Sequence, residues 1–156
     1  MRTKHLIIFL PLVVVALYAY RWPVKPQDKA HGINATLGEM RVDTLGNPDH
    51  FHAGVDIAES GDSIYCPDTS IVDTTEWKSN WIGRFRYIHA SLDTFLQGDT
   101  ILPGCVIGYI TGTHLHFRES STRLSPHDAL NPLDSLALTP YYDSTNPHID
   151  SVKFYR

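Results

Sequence analysis

Between residues 33 and 133 almost no stretch repeats its apolar residues at helical spacing. Short apolar runs are instead cut by Gly, Pro, Asp and Asn, the punctuation of strands and turns. Residues 63–66, 85–89 and 106–110 are expected strands, Gly98-Asp99 and Pro103-Gly104 are expected turns, and residues 125–130 an expected helical turn. A chain of 156 residues has room for one domain. No repeat or low-complexity segment is visible, and 42% hydrophobic residues supply enough apolar surface to argue against disorder. The expectation is a compact, all-β domain.

The start of the chain has a different composition. Arg2 and Lys4 precede an apolar run over residues 6–20, interrupted by Pro11, which is the pattern of a secretory signal. The run is shorter than the ~20 residues of a membrane-spanning helix. Tyr20, Arg21 and Trp22 at its end suit a membrane interface. With no clear small-x-small cleavage site and no lipobox cysteine, residues 1–22 read as a signal peptide or membrane anchor. Residues 23–32, with Pro23 and Pro26, read as a linker. Export would place Cys66 and Cys105 where a disulfide persists, although two free buried thiols are the favoured expectation. Thirteen basic against seventeen acidic residues give a net charge of −4, which argues against a nucleic-acid partner.

Nine histidines are the compositional oddity. In His114-Leu115-His116-Phe117 the two histidines face one side if the segment is a strand, while Leu115 and Phe117 face a core. His52-Ala53-Gly54-Val55-Asp56 gives a second pair, four apart and compatible with one strand face. His and Asp are zinc ligands, and catalytic zinc sites commonly use three of them. Any one of these histidines alone reads as a surface or satisfied core residue, and spacing alone leaves the metal and structural readings level. His5, His31, His127 and His148 are expected to be solvated; His50 shares strand parity with His52 and is expected near the site. A metal-barrel reading of His50-Phe51-His52 with Glu59 needs a shorter gap and leaves His114 and His116 unexplained. A biotinyl or lipoyl carrier fails because no lysine lies between Lys78 and Lys153.

In order along residues 33–133, these segments resemble the LytM/lysostaphin-type zinc metallopeptidases, the M23 family of peptidoglycan endopeptidases. Residues 33–41 resemble that domain's opening strand and turn, and Phe51-His52-Ala53-Gly54-Val55-Asp56-Ile57 its His-x-x-x-Asp motif. Tyr87-Ile88-His89 resembles its Tyr-x-His segment, residues 98–108 its glycine-punctuated hairpin, and residues 111–117 its closing His-x-His motif. The resemblance implies a hybrid antiparallel β-sheet/barrel domain of the LytM type over residues 33–140, followed by a tail at 141–156. It implies His52, Asp56 and His116 as Zn2+ ligands and His89 and His114 as catalytic histidines. The implied substrate is a peptide of peptidoglycan, met in the cell envelope or periplasm, with membrane anchoring by the N-terminal segment. The alternative is a catalytically inert domain that binds an envelope partner protein and regulates another hydrolase.

Several positions depart from the family pattern. The stretch between Cys66 and His89 is short, Thr113 stands where proline is usual, Arg118 where an acidic residue is common, and Cys66 where a small residue is. Residues 149–154 alternate like a strand within the tail.

Overall fold

In the computed structural model, the described residues are 19–72, 80–121, 128–134 and 137–141. The apolar run up to residue 18, the strand expected at 149–154, and His5, His127 and His148 lie outside them, as do residues 73–79 of the short stretch after Cys66. Among the described residues no α-helix occurs, and no helix is long and apolar enough to cross a membrane.

Among the described residues, thirteen short strands follow in chain order. They are β1 (Ile33–Ala35), β2 (Met40–Val42), β3 (Pro48–Phe51), β4 (Val55–Ile57), β5 (Ser63–Tyr65), β6 (Ser70–Ile71) and β7 (Trp81–Ile82). Then come β8 (Phe85–Ile88), β9 (Ala90–Leu92), β10 (Thr100–Ile101), β11 (Val106–Ile110), β12 (Leu115–Ser120) and β13 (Ala129–Leu130). The main sheet has the order β1-β4-β12-β8-β7, with β13 also pairing β12. A second sheet runs β5-β11-β9, and β2-β3 and β10-β6 are two-stranded ribbons. All pairings between these named strands are antiparallel, and an isolated bridge between Tyr20 and Leu138 is parallel. The expected strands at 63–66, 85–89 and 106–110 are present to within a residue. Of the expected helical turn at 125–130, the described end is 3-10 helical at Asp128 and then strand, because Ala129 and Leu130 pair with Ser120 and Glu119.

Alternation explains which face is which. Leu115 and Phe117 of β12 are fully buried and pack with Val55, Ile57, Phe85 and Tyr87. Phe117 stacks on Phe85 at 5.3 Å between centroids, a contact that adds a fraction of a kcal/mol or more beyond burial. The intervening residues His116 and Arg118 therefore point to the opposite face of the sheet.

The core also takes in residues expected at a membrane interface and in a linker. Tyr20, Trp22 and Val24 are buried in the same apolar cluster, Trp22 and Val24 completely. Tyr20 packs edge-on against Phe85 at 5.0 Å and donates its hydroxyl hydrogen to Glu119 Oε2 at 2.7 Å. The Trp22 indole donates to the Pro140 carbonyl at 2.7 Å. A run rich in aromatic residues and prolines has no helical or strand period of its own, so its partner is set by tertiary packing. Trp22→Ala is expected to cost about 3–5 kcal/mol in a urea melt, the range for emptying a fully buried aromatic site.

His31 is likewise not solvated. Its Nδ1 lies 2.9 Å from Glu59 Oε1, its Nε2 3.0 Å from the Pro26 carbonyl, and its ring packs at 5.1 Å on Trp22. Both cysteines are free; Cys66 is buried, but Cys105 is exposed rather than buried as expected.

Candidate metal centre

The site is built on the polar face of the main sheet. His116 of β12 lies directly opposite Asp56 of β4 in the antiparallel register, which brings two side chains sixty residues apart to neighbouring positions on one face. His52 reaches the same point by another route. It lies past the end of β3, and the chain bends at Gly54 before β4 begins, so His52 and Asp56 do not share one strand as expected. The close contact made by Gly54 explains the bend's tightness: a Cβ there would lie 2.5 Å from the Phe117 carbonyl and 3.0 Å from His116 Nε2.

The three potential ligand atoms form a triangle. His52 Nε2 lies 2.8 Å from His116 Nδ1 and 3.0 Å from Asp56 Oδ1, and His116 Nδ1 lies 2.9 Å from the same oxygen. Among the described residues this is the group of three or more His, Cys, Asp and Glu able to hold a metal ion. Ligands ~2.0–2.1 Å from a tetrahedral zinc ion stand ~3.3 Å apart, so the edges fit after a few tenths of an ångström of spreading.

The hydrogen-bond partners around the triangle fit a cation as well. His52 Nδ1 faces the Thr36 carbonyl at 2.9 Å; a carbonyl only accepts, so Nδ1 carries a hydrogen and Nε2 is the ring nitrogen turned into the triangle. Burial, with the neighbouring His52 next in weight, lowers the His116 pKa from 6.5 to about 4, which keeps that ring neutral at pH 7. Burial pushes the Asp56 carboxyl upward, but His52, His116 and Arg41 together outweigh it and hold the pKa below the usual value. Two ring nitrogens and one carboxylate oxygen, 5–6% exposed at His52 and Asp56, are a donor set that a divalent cation satisfies.

Arg41 of β2 was not among the expected site residues. Its guanidinium donates to Asp56 Oδ2 at 2.6 Å, fixing the carboxylate while leaving Oδ1 for the triangle. The signal was its place in the opening segment, but nothing in the spacing showed that the β2-β3 ribbon folds back over β4. His50, expected near the site, sits exposed on β3 and pairs with Asp49 at 2.7 Å.

His89 and His114 lie next to the triangle and to each other. Their ring centroids are 4.6 Å apart in an edge-on arrangement, and His114 Nε2 is 3.6 Å from Asp56 Oδ1. His89 has φ +61°, a left-handed conformation unusual for a residue with a side chain. It is held there by the Thr111 and Gly112 amides, which both donate to the His89 carbonyl, at 2.8 and 3.2 Å. Such strain costs ~1–2 kcal/mol and persists only where the surroundings over-determine it.

Fold and triad together define a lysostaphin-type β domain, and the family resemblance read from the motifs is borne out at the level of the fold. No protein-family model and no curated protein matches the sequence. Solved structures do. The catalytic domain of the antimicrobial peptidase lysostaphin from Staphylococcus simulans is 24% identical, with a TM-score of 0.50 over 68% of this chain and 92% of that one. LytU is 22% identical, with a TM-score of 0.51 over 67% of this chain and 83% of that one. Helicobacter pylori Csd3 is 21% identical, with a TM-score of 0.50 over 84% of this chain, which spans 37% of Csd3.

Proposed function

We propose that this chain is an M23-type zinc metalloendopeptidase that hydrolyses peptide bonds in the stems or cross-bridges of peptidoglycan. The observation that carries this reading is the convergence of His52 Nε2, Asp56 Oδ1 and His116 Nδ1, with two further histidines beside them. His52, Asp56 and His116 are the residues that would hold Zn2+, and the bound ion would supply Lewis acidity that makes hydroxide available near neutral pH. His114 and His89 divide the proton work. One accepts the proton of the attacking water and later returns it to the leaving amine, while the other donates a hydrogen bond to the amide oxygen as charge develops there. The strained backbone of His89 and its packing against His114 hold both rings in one arrangement before substrate arrives.

In this reading the apolar run ahead of Tyr20 acts as a signal peptide or membrane anchor, with Tyr20 and Trp22 belonging to the folded domain, and the domain works in the envelope or periplasm. The test is mass spectrometry of muropeptides after incubation of cell-wall sacculi with the zinc-loaded protein. New peptide ends are expected, and the bond cut is read from their masses. His114→Ala and His89→Ala are each expected to lower the rate by ~100- to 10,000-fold with zinc content unchanged. Bound zinc with no new ends on any wall type would refute the peptidase and favour an inert domain regulating a partner hydrolase.

A further inference from the structure

The face that carries His116 continues into a second row of side chains. Asp56, His116 and Ile88 lie directly opposite one another across β4, β12 and β8. Two residues further along each strand, Arg118 lies opposite Arg86, and Arg86 opposite Trp81 of β7. Residues two apart on a strand share a face, so the row Arg118-Arg86-Trp81 lies beside the row Asp56-His116-Ile88. Gly54 makes the shared face explicit, since a Cβ there would meet both His116 Nε2 at 3.0 Å and Arg118 Cβ at 3.2 Å.

This second row has an excess of positive charge. Like charges directly opposite on a sheet repel, and Arg118 is offset by Asp128, to which it donates at 2.5 Å. Arg86 has no such carboxylate among the described residues. Its guanidinium packs 5.9 Å from the Trp81 ring centroid, which Arg118 also approaches at 5.6 Å, and its buried Nε has no hydrogen-bond partner. A partly exposed guanidinium with no carboxylate partner among the described residues, packed against an indole, is suited to a planar anion. In a chain of net charge −4 this local surplus is not part of a general basic surface.

We propose that Arg86, backed by Trp81, is a subsite for a carboxylate of the substrate peptide. The inference rests on the peptidase reading above and names what the substrate must carry. Two residues of a strand span ~6.5–7 Å. An extended peptide with its scissile carbonyl over His116 therefore brings a carboxylate one or two residues away to Arg86. That carboxylate is either the free C-terminus of the stem or the free carboxyl of its D-glutamate.

The test uses zinc-loaded full-length protein and a stem pentapeptide, L-Ala-γ-D-Glu-L-Lys-D-Ala-D-Ala, with both carboxyls free. It is compared with the C-terminal amide and with the glutamate amide, and binding is measured by calorimetry alongside cleavage. Wild type is expected to bind the free acid roughly ten- to a hundredfold more tightly than one of the two amides. The amide that weakens binding identifies which carboxylate is held. Arg86→Gln is expected to erase that preference at unchanged zinc affinity, and Arg86→Lys to restore part of it. Equal binding of all three peptides by wild type, or absence of binding, overturns the proposal, as does an intact preference in Arg86→Gln. If Arg86→Gln does not fold, the wild-type comparison alone decides. Preference without cleavage would sink the peptidase reading and keep the carboxylate site, whereas cleavage without preference would do the reverse.

Discussion

Alanine at His116 or Asp56 is expected to weaken zinc binding by more than the ~10–100-fold that outer hydrogen-bond partners typically contribute. Each substitution removes one corner of the His52–Asp56–His116 triangle and leaves two ligands, too few for the closed side of a zinc site. Competition with a fluorescent chelator measures the loss, and wild-type affinity in either variant would show that the triangle is not the site. A second readout needs no metal. In the metal-free protein, burial and then the adjacent His52 place the His116 pKa at about 4 against 6.5 in the unfolded chain. The unfolded state therefore takes up a proton that the native ring refuses. Stability is fully retained above pH ~6.5, falls as pH drops toward ~4, and levels off below it for this group. The lowered carboxyl of Asp56 adds loss of the same sign at lower pH, below its ordinary value of 3.8. His116→Ala should flatten the urea-midpoint profile between pH 6.5 and 4, and an unchanged slope would contradict the placement of this ring.

The site was more legible than its supports. His114-Leu115-His116-Phe117 announces itself because one strand must put both histidines on one side and both apolar residues on the other, and β12 does so at His116. Gly54 within His52-Ala53-Gly54-Val55-Asp56 marks a close backbone approach, though as a bend rather than a continuous strand. The contribution of Arg41 was not legible, because a guanidinium on a two-stranded ribbon reads as solvated until the ribbon is seen to lie over Asp56. Trp22 and Val24 were misread for a related reason. A segment containing Pro23 and Pro26 has no period to reveal which face it buries, and only the core cluster identifies its partner. His31 follows from the same error, since its ring is covered by Trp22 and tied to Glu59. Local pattern thus identified the ligand candidates, while the packing that orients them depends on contacts between segments distant in sequence.

Gly54→Ala is the substitution expected to damage stability and metal binding together. Gly54 is not among the glycines with positive φ, so alanine meets no conformational penalty there, and what remains is steric. The added methyl would lie 2.5 Å from the Phe117 carbonyl oxygen, 3.0 Å from His116 Nε2 and 3.2 Å from Arg118 Cβ. Only His116 Nε2 is the far end of a side chain, whereas Arg118 Cβ moves only with the backbone of β12. The Phe117 carbonyl is backbone in the central strand β12, held between β4 and β8. Relief therefore requires β4 and β12 to separate at the Val55–Phe117 pair, one residue before Asp56 faces His116. Overpacking of this kind costs typically 1–3 kcal/mol, and a contact against fixed backbone belongs at the upper end, about 3 kcal/mol. That corresponds to a fall in melting temperature of roughly 10 °C for a domain of this size. Because the displaced pair is the one that sets the triangle, zinc affinity should fall with it. Gly46→Ala supplies the contrast: its φ of +83° imposes strain, yet nothing lies within 4 Å of the new methyl. It should cost ~1–2 kcal/mol and leave zinc affinity untouched. Equal zinc affinity in both variants would mean that the β4–β12 register does not control the ligand geometry.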